Sequence, residues 1–311
     1  MPSPPPDQGL SWQSPHGRRL PAIGSRTLVM GILNITPDSF SDGGKLNGPD
    51  ALRAVANEMI TNGADVLDIG GESTRPGAQP VSASMELDRI LPAIAVVRKH
   101  WPEIPLSIDT SKAEVAQAAI SAGADIINDV WGLTAGFGQK ERDLWRARPH
   151  NSTDASFPVS AMAATVASLG CPVIIMHNRP ANDYGIFWDD LISDLQMSLH
   201  LAHAAGVASG QIWLDPGFGF AKNVPQNLEV LRDLGRIVKL GFPVVVGTSR
   251  KSTIGRVLDV PTDQRIVGTG VTAAWAIQQG CSMLRVHDVV EMRQYIRMAD
   301  AIKAGLTFPT Q

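Results

Sequence analysis

The sequence of 311 residues lacks several features that mark particular classes of protein. It has two cysteines, Cys171 and Cys281, too few for a disulfide framework or a cysteine-ligated zinc site. Its 27 basic and 30 acidic residues give a net charge of −3, which provides no electrostatic reason to bind nucleic acid or an acidic membrane. No apolar run approaches the ~18 residues of a membrane-spanning helix. We therefore expect a soluble, cytoplasmic protein that binds neither nucleic acid nor membrane.

What the sequence does contain is a large apolar fraction, 44% of residues, arranged in a repeating pattern. Short apolar runs bounded by Gly, Pro, Asp or Asn predict eight buried strands, and stretches with helical spacing lie between them. Eight such units are typical of a single-domain (β/α)8 TIM barrel, although a doubly wound open sheet uses the same local units. The predicted strands are 28–33, 66–69, 106–108, 126–130, 173–176, 212–214, 244–246 and 283–286.

Two segments depart from this repeating pattern. Residues 1–20 are rich in Pro and Ser and show no periodicity, so we predict a flexible N-terminal arm there. The barrel is predicted over residues 21–306. Within it, the polar segment at about 134–158 is too long for an ordinary connection, and it is predicted to be an insertion at the surface.

Polar residues follow the predicted strands, and in a barrel of this kind the carboxyl ends of all strands meet at one rim. Any one of them could simply cap a helix, but the convergence of eight polar endings favours a binding site. Carboxylates and amides suit a heterocycle rich in N–H donors, whereas Arg and His beside an amide suit an anion such as phosphate. The first kind comprises Asp109, Asn128 and Asp215, and the second comprises Asn34, Arg75, Arg285 and His287.

The helix that follows the seventh strand is predicted to open at Ser252, where backbone N–H groups favour a carboxylate or a phosphate. Together with the polar strand ends, this feature suggests a polar heterocycle, an anionic leaving group and a second anionic partner as ligands. The G-x-G-x-x-A pattern at residues 268–273 does not indicate a dinucleotide site, because no strand precedes it.

The sequence blocks that hold these residues resemble dihydropteroate synthase, in the family's order and over roughly residues 25–305. The resemblance implies a (β/α)8 barrel that joins 6-hydroxymethyl-7,8-dihydropterin diphosphate to p-aminobenzoate and releases pyrophosphate, a transferase reaction of folate biosynthesis. It also implies a requirement for Mg²⁺ and a homodimer formed through late helices. The blocks include NITPDSFSDGG (34–44), DIGGESTRPG (68–77), LDPGFGF (214–220), GTSRKS (247–252) and RVHD (285–288).

The same resemblance implies roles for individual residues. Pterin contacts are implied for Asp109, Asn128, Met176, Asp215 and Lys251; diphosphate contacts for Asn34, Arg75, Arg285 and His287, with Mg²⁺ on Asn34; and p-aminobenzoate contacts for Thr74, Arg75, Pro76, Phe220 and Ser252. The implied path is SN1-like, because loss of pyrophosphate leaves a cation that the pterin ring delocalises. Asp109, Lys251, Arg285 and His287 are the implied catalytic residues.

Two alternative functions use a related barrel: a pterin-dependent methyltransferase domain and a non-catalytic pterin-binding barrel. The methyltransferase has no need for the anion cluster at Arg285 and His287, and a bare binding protein would not need every rim position to be kept. The loop at residues 74–78 shows no insertion of the kind seen in sulfonamide-insensitive relatives, so we expect the protein to be a sulfonamide target.

Overall fold

The computed structural model describes residues 12–35, 48–73, 79–148 and 157–305. Eight parallel strands alternate with helices and form a nearly closed barrel, which confirms the predicted fold class. Among the described residues, no helix combines the length and the apolar character needed to span a membrane. The strands are β1 (Leu28–Asn34), β2 (Val66–Gly70), β3 (Leu106–Asp109), β4 (Ile126–Asp129), β5 (Val173–Met176), β6 (Ile212–Asp215), β7 (Val245–Val246) and β8 (Met283–Val286).

The strand order distinguishes a barrel from an open sheet. Neighbouring strands pair in the order β6-β5-β4-β3-β2-β1-β8-β7. The two ends of this series meet through a parallel bridge between Leu214 and Val244, and the Leu214 N–H donates to the Pro243 carbonyl at 2.9 Å. The doubly wound open sheet is therefore excluded.

The helices begin and end at residues suited to those positions. The Ser82 side chain accepts from the Met85 N–H at the start of α2 (Ala83–His100). Gly206 ends α6 (Phe187–Ala205) with a φ of 99°, which favours glycine. The helices of the described residues are α1 (Pro49–Thr61), α2 (Ala83–His100), α3 (Ala113–Ser121), α4 (Gln139–Arg146), α5 (Ala161–Leu169), α6 (Phe187–Ala205), α7 (Val224–Arg232), α8 (Gly235–Val238), α9 (Ser252–Leu258), α10 (Ile266–Gln278) and α11 (Val289–Ala304).

A Gly-Ala-Asp sequence occurs twice where a helix turns into the next strand, ending at Asp65 and at Asp125. Each carboxylate accepts from a backbone N–H of the preceding strand, Asp65 from Val29 and Asp125 from Leu106, both at 2.9 Å. Asp125 also pairs with two guanidinium groups at 2.6 and 2.7 Å. These aspartates therefore join neighbouring strands at the end of the barrel opposite the rim.

The bottom of the barrel is filled by side chains and covered by the N-terminal segment. Trp12 packs on the fully buried Trp213 with ring centroids 4.6 Å apart, and the Trp12 indole N–H donates to the Pro21 carbonyl at 2.9 Å. Within the arm predicted over 1–20, Trp12 packs residues 12–20 against the barrel, and the flexibility of the arm stays a prediction. Residues 1–11 lie outside the described residues.

The described part of the insertion predicted at about 134–158 makes buried contacts with the barrel. It contains α4, whose Arg142 side chain is turned inward and is buried beneath the end of β5. The Trp145 indole N–H donates to the Ser193 carbonyl of α6 at 3.0 Å. Polarity alone suggested exposure, but here a buried carboxylate holds the arginine inside. Residues 149–156 lie outside the described residues.

We expect Asp125→Asn to lower the free energy of unfolding in urea by about 3 kcal/mol, because Arg18 and Arg98 would lose a buried anionic partner. Asp233→Asn is the control, since its pair with Arg232 lies at the surface and should contribute little. An equal effect of both substitutions would contradict the stabilising role of Asp125.

Candidate active site

The strand ends bring several predicted residues to one rim. In the register of the sheet, Gly70 lies between Asn34 on β1 and Asp109 on β3, and Asp109 is next to Asn128 on β4. A Cβ built on Gly70 would lie 3.4 Å from the Asn34 side-chain oxygen and 3.6 Å from the Asp109 Cβ. Glycine at this position therefore leaves the space between the two side chains open.

Arg285 lies at the centre of a buried ionic cluster. Its Nε donates to Asp68 at 2.6 Å and its Nη2 donates to Asp109 at 2.7 Å. The Asn128 amide also donates to Asp68, at 3.2 Å. The sequence analysis assigned no role to Asp68, although a carboxylate inside the apolar run of β2 was a signal that could have been used.

The buried position of this cluster changes the proton affinity of its members. Burial raises the pKa of Asp109 to about 7, because the favourable charge of Arg285 does not fully offset the loss of water. Burial also raises the pKa of Asp215, against the pull of the Gly217 N–H and the Lys251 ammonium. The carboxylates counteract the burial of Arg285 and hold its pKa above the usual range. The cluster thus keeps a fixed cation beside a carboxyl group that titrates near neutral pH.

Lys251 lies beside the loop that follows β6. Its Nζ is 4.1 Å from the centre of the Phe220 ring, and a Cβ built on Gly219 would lie 3.2 Å from the Lys251 Cδ. Lys251 is the residue before α9, which begins at Ser252 as predicted, and the Ser252 residue is exposed. The structure therefore brings Lys251 and Phe220 together, with Ser252 at the outer side.

The last strand end carries His287, which is half-buried. Its Nδ1 lies 3.0 Å from the Ser249 hydroxyl, which also accepts from the His287 backbone N–H at 3.1 Å. The neighbouring Asp288 pairs with the Arg250 guanidinium through both carboxylate oxygens. Ser249 therefore fixes the orientation of the His287 ring.

A second buried network lies behind Met176, and the sequence analysis did not predict it. Asp194 of α6 accepts from the Arg179 Nε at 2.5 Å and from the His177 ring at 3.2 Å, and Arg142 of α4 lies 2.7 Å from its other oxygen. The signal was the position of Asp194 on the buried side of α6, where apolar residues predominate.

The network contains groups whose pKa values are strongly displaced. Burial and the nearby Lys222 charge lower the pKa of His177 to about 3, so its ring is neutral. Burial likewise lowers the pKa of Lys222 to about 7, against the attraction of Asp215 and Asp194. Although burial acts in the opposite direction, hydrogen bonds from His177 and Arg179 hold the pKa of Asp194 below its usual range.

The residues present provide limited support for a magnesium site. Among the described residues there is no group of three or more His, Cys, Asp or Glu side chains that could hold a metal ion. Asn34 offers one amide oxygen at the open side of the rim. Mg²⁺ commonly binds through one or two protein oxygens together with substrate phosphates and water. The donor set fits Mg²⁺ only in that form, with a diphosphate as the main ligand.

Three of the predicted p-aminobenzoate and diphosphate residues, Thr74, Arg75 and Pro76, lie outside the described residues. The remaining predicted residues all lie at the carboxyl ends of the strands or in the segments that follow them. Their individual roles stay predictions.

Comparison with known proteins gives a consistent answer. The family model described as pterin-binding enzyme matches residues 30–287. The chain belongs to the pterin-binding enzyme family. A dihydropteroate synthase of Bacillus subtilis is 46% identical over 277 residues, which cover 89% of each chain.

Solved structures agree with the sequence comparison. A dihydropteroate synthase of Clostridium difficile, solved in the presence of pteroic acid, is 41% identical, with a TM-score of 0.78 over 90% of this chain and 98% of that one. The Xanthomonas albilineans dihydropteroate synthase with 4-aminobenzoic acid is 36% identical, with a TM-score of 0.81 over 96% of this chain and 99% of that one.

We expect one carboxyl carbon signal of ¹³C-labelled aspartate to titrate near pH 7 in the ligand-free protein, because Asp109 holds its proton below that pH and releases it above. The signal should vanish in Asp109→Asn and persist in the control Asp129→Asn, whose own carboxyl has its pKa raised by burial to about 6. If every aspartate titrates below about pH 5, the assignment is wrong.

Proposed function

We propose that this chain is a dihydropteroate synthase, a transferase that joins 6-hydroxymethyl-7,8-dihydropterin diphosphate to p-aminobenzoate. The observation that carries this proposal is the convergence of Asp109, Asn128, Asp215 and Arg285 at one rim. It agrees with relatives that bear that name and cover most of the chain. It also agrees with synthase structures that contain pteroic acid or 4-aminobenzoic acid.

The pterin would occupy the most buried part of the site. Asp215 is buried at the end of β6, and its carboxylate would accept from the amino and ring N–H edge of the heterocycle. Asn128 is buried nearby and would contact the same ring, which Met176 would cover from β5. Lys251 would donate to the side of the ring that carries the carbonyl.

The residues of the chain would assist the departure of pyrophosphate. As the C–O bond breaks, its electron pair leaves with pyrophosphate, and a cation delocalised into the pterin remains. Asp109 in its carboxylate form would stabilise that cation, while Arg285 and His287 would face the departing charge. The p-aminobenzoate amine would then attack the CH₂ carbon and lose a proton, so no strong base is required.

The diphosphate would be held from the opposite side by Asn34. If Mg²⁺ binds there, Asn34 would provide its protein oxygen, and the ion would supply neutralisation of the leaving-group charge. Arg75 would add a second cation. The p-aminobenzoate would lie outward of the pterin, among Thr74, Pro76, Phe220 and Ser252. A sulfonamide would compete for this outer position.

The two alternatives have less support. Relatives between 41% and 46% identical are named dihydropteroate synthase, and none of those reported above is a methyltransferase. The same names disfavour a non-catalytic barrel, because a synthase is an enzyme.

A homodimer is part of the proposal, through the outer faces of α10 and α11. Val267, Val271 and Trp275 are spaced four residues apart on α10 and are exposed, as are Met298 and Ile302 on α11. Apolar side chains on neighbouring helices are typical of a surface that a second copy covers.

A cytoplasmic location likewise remains a prediction, which the two free, buried cysteines support.

The test of the function is pyrophosphate release from the pterin diphosphate as p-aminobenzoate is added, with dihydropteroate measured in parallel. We expect both products in equal amounts in the presence of Mg²⁺ and loss of both on addition of a chelator, with recovery when Mg²⁺ is restored. Asp215→Asn should raise the KM for the pterin about tenfold or more, since it removes a charge-assisted pair. Absence of coupled product formation would exclude the synthase.

The dimer is tested by analytical ultracentrifugation. We expect the protein to sediment as a dimer and Val267→Glu/Val271→Glu to sediment as a folded monomer, because a buried unpaired carboxylate is costly. Leu144→Glu on α4 is a matched control, since it alters an exposed leucine outside these two helices. A dimer that survives the double substitution would place the interface elsewhere.

A further inference from the structure

The loop between β6 and α7, residues 216–223, carries Phe220 and is held together by Lys222. The Lys222 Nζ lies 3.0 Å from the Gly217 carbonyl and 3.1 Å from the Phe220 carbonyl. The third contact of the same Nζ is the His177 Nδ1, at 2.9 Å. An ammonium group has three N–H donors, and these three acceptors match them.

The backbone of this loop lies directly on the end of β5. A Cβ built on Gly217 would lie 1.9 Å from the His177 carbonyl oxygen, so only glycine permits this approach. Gly217 has a φ of 65°, and its N–H donates to Asp215 at 2.7 Å. The loop therefore contacts Asp215, a predicted pterin residue, near its start, and Lys222 near its end binds its backbone carbonyls.

His177 has one orientation and one tautomer that satisfy its neighbours. The ionised Asp194 carboxylate can only accept and lies 3.2 Å from Nε2, so the single proton of the neutral ring lies on Nε2. Nδ1 is then left to accept from Lys222. Asp194 is itself held by Arg179 and Arg142, at 2.5 and 2.7 Å. His177 thus connects Lys222 to a fixed, buried carboxylate.

The opposite side of the loop supports Lys251. The Phe220 ring lies under the Lys251 ammonium, and a Cβ built on Gly219 would lie 3.2 Å from the Lys251 Cδ. A shift of the loop would therefore move Phe220 and Lys251 together. Both are residues predicted to meet the substrates, and Phe220 is the described aromatic residue predicted to lie against the ring of p-aminobenzoate.

We propose that Lys222 is a positioning residue for the second substrate: it fixes the β6–α7 loop so that Phe220 stays beneath Lys251, and the His177–Asp194 pair fixes Lys222. This inference rests on the proposed function, because it assigns Phe220 to p-aminobenzoate. Lys222 contacts the loop backbone and acts through it.

The experiment compares steady-state constants of the full-length protein and its variants. Lys222→Met keeps the length of the side chain and removes all three donors. We expect the KM for p-aminobenzoate to rise by about tenfold or more, whereas the KM for the pterin diphosphate changes by less than about twofold. Lys239→Met, at an exposed lysine outside the site, is the control and should leave both constants and the Tm unchanged.

Two substitutions of His177 separate positioning from general stability. Asn can place an oxygen at the Nδ1 position and still accept from Lys222, whereas Gln can place its amide N–H at the Nε2 position and still donate to Asp194. We expect His177→Gln to raise the KM for p-aminobenzoate as Lys222→Met does, and His177→Asn to raise it less. This order should hold whichever of the two His177 variants has the lower Tm. Equal KM values for the two His177 variants would overturn the inference.

The unsubstituted protein separates this inference from the proposed function. If it forms no dihydropteroate, the proposed function fails before any variant is considered. If the unsubstituted protein is active, and the Lys222→Met variant is folded but has an unchanged KM for p-aminobenzoate, only the positioning role fails. A parallel loss for both substrates that follows the fall in Tm would also overturn the inference, because that is the signature of a structural residue.

Discussion

A guanidinium largely withdrawn from water at the top of a barrel is destabilising unless anions are next to it, and Arg285 pairs with the buried carboxylates of Asp68 and Asp109. This arrangement holds the other parts of the site in place. Asp68 orients Asn128 as well as Arg285, and so links β2, β4 and β8 across the barrel. Two carboxyl groups share one fixed cation, which leaves Asp109 with a proton affinity that a substrate charge can change.

The second network surrounds an anion instead of a cation. Asp194 is the carboxylate at its centre, and the cations and the histidine around it come from two separate segments of the chain, α4 and the residues that follow β5. The contribution of α4 gives the insertion a structural role, since Arg142 reaches Asp194 from it. The two networks meet near Asp215, whose carboxylate is attracted by Arg285 of the first and by Lys222, which contacts His177 of the second. The charge of Asp215 is therefore coupled electrostatically to both networks.

The sequence predicted the barrel well because each strand is a short apolar run with a polar residue at its end. This signal was sufficient even for β7, which has two residues in the structure. Asp68 was missed because it lies within the apolar run of β2, whereas the signal used for the site was a polar residue at the end of each strand. The sequence also could not predict that Trp12 would pack on Trp213, since these two residues lie 201 positions apart in the chain. Contacts between distant segments are set by the closed barrel, which residue spacing alone does not describe.

The covered base of the barrel has a kinetic consequence. Trp12 and Trp213 occupy that end, opposite the rim where the predicted site residues lie. At the rim Asp109 and Asp215 are buried, whereas Ser252 is exposed. If the two reactants of the proposed function bind at these two depths, a molecule at the outer position would obstruct later arrival at the deep one. Depth would then dictate the order in which the reactants associate, and a tryptophan near the amino terminus would help to impose it.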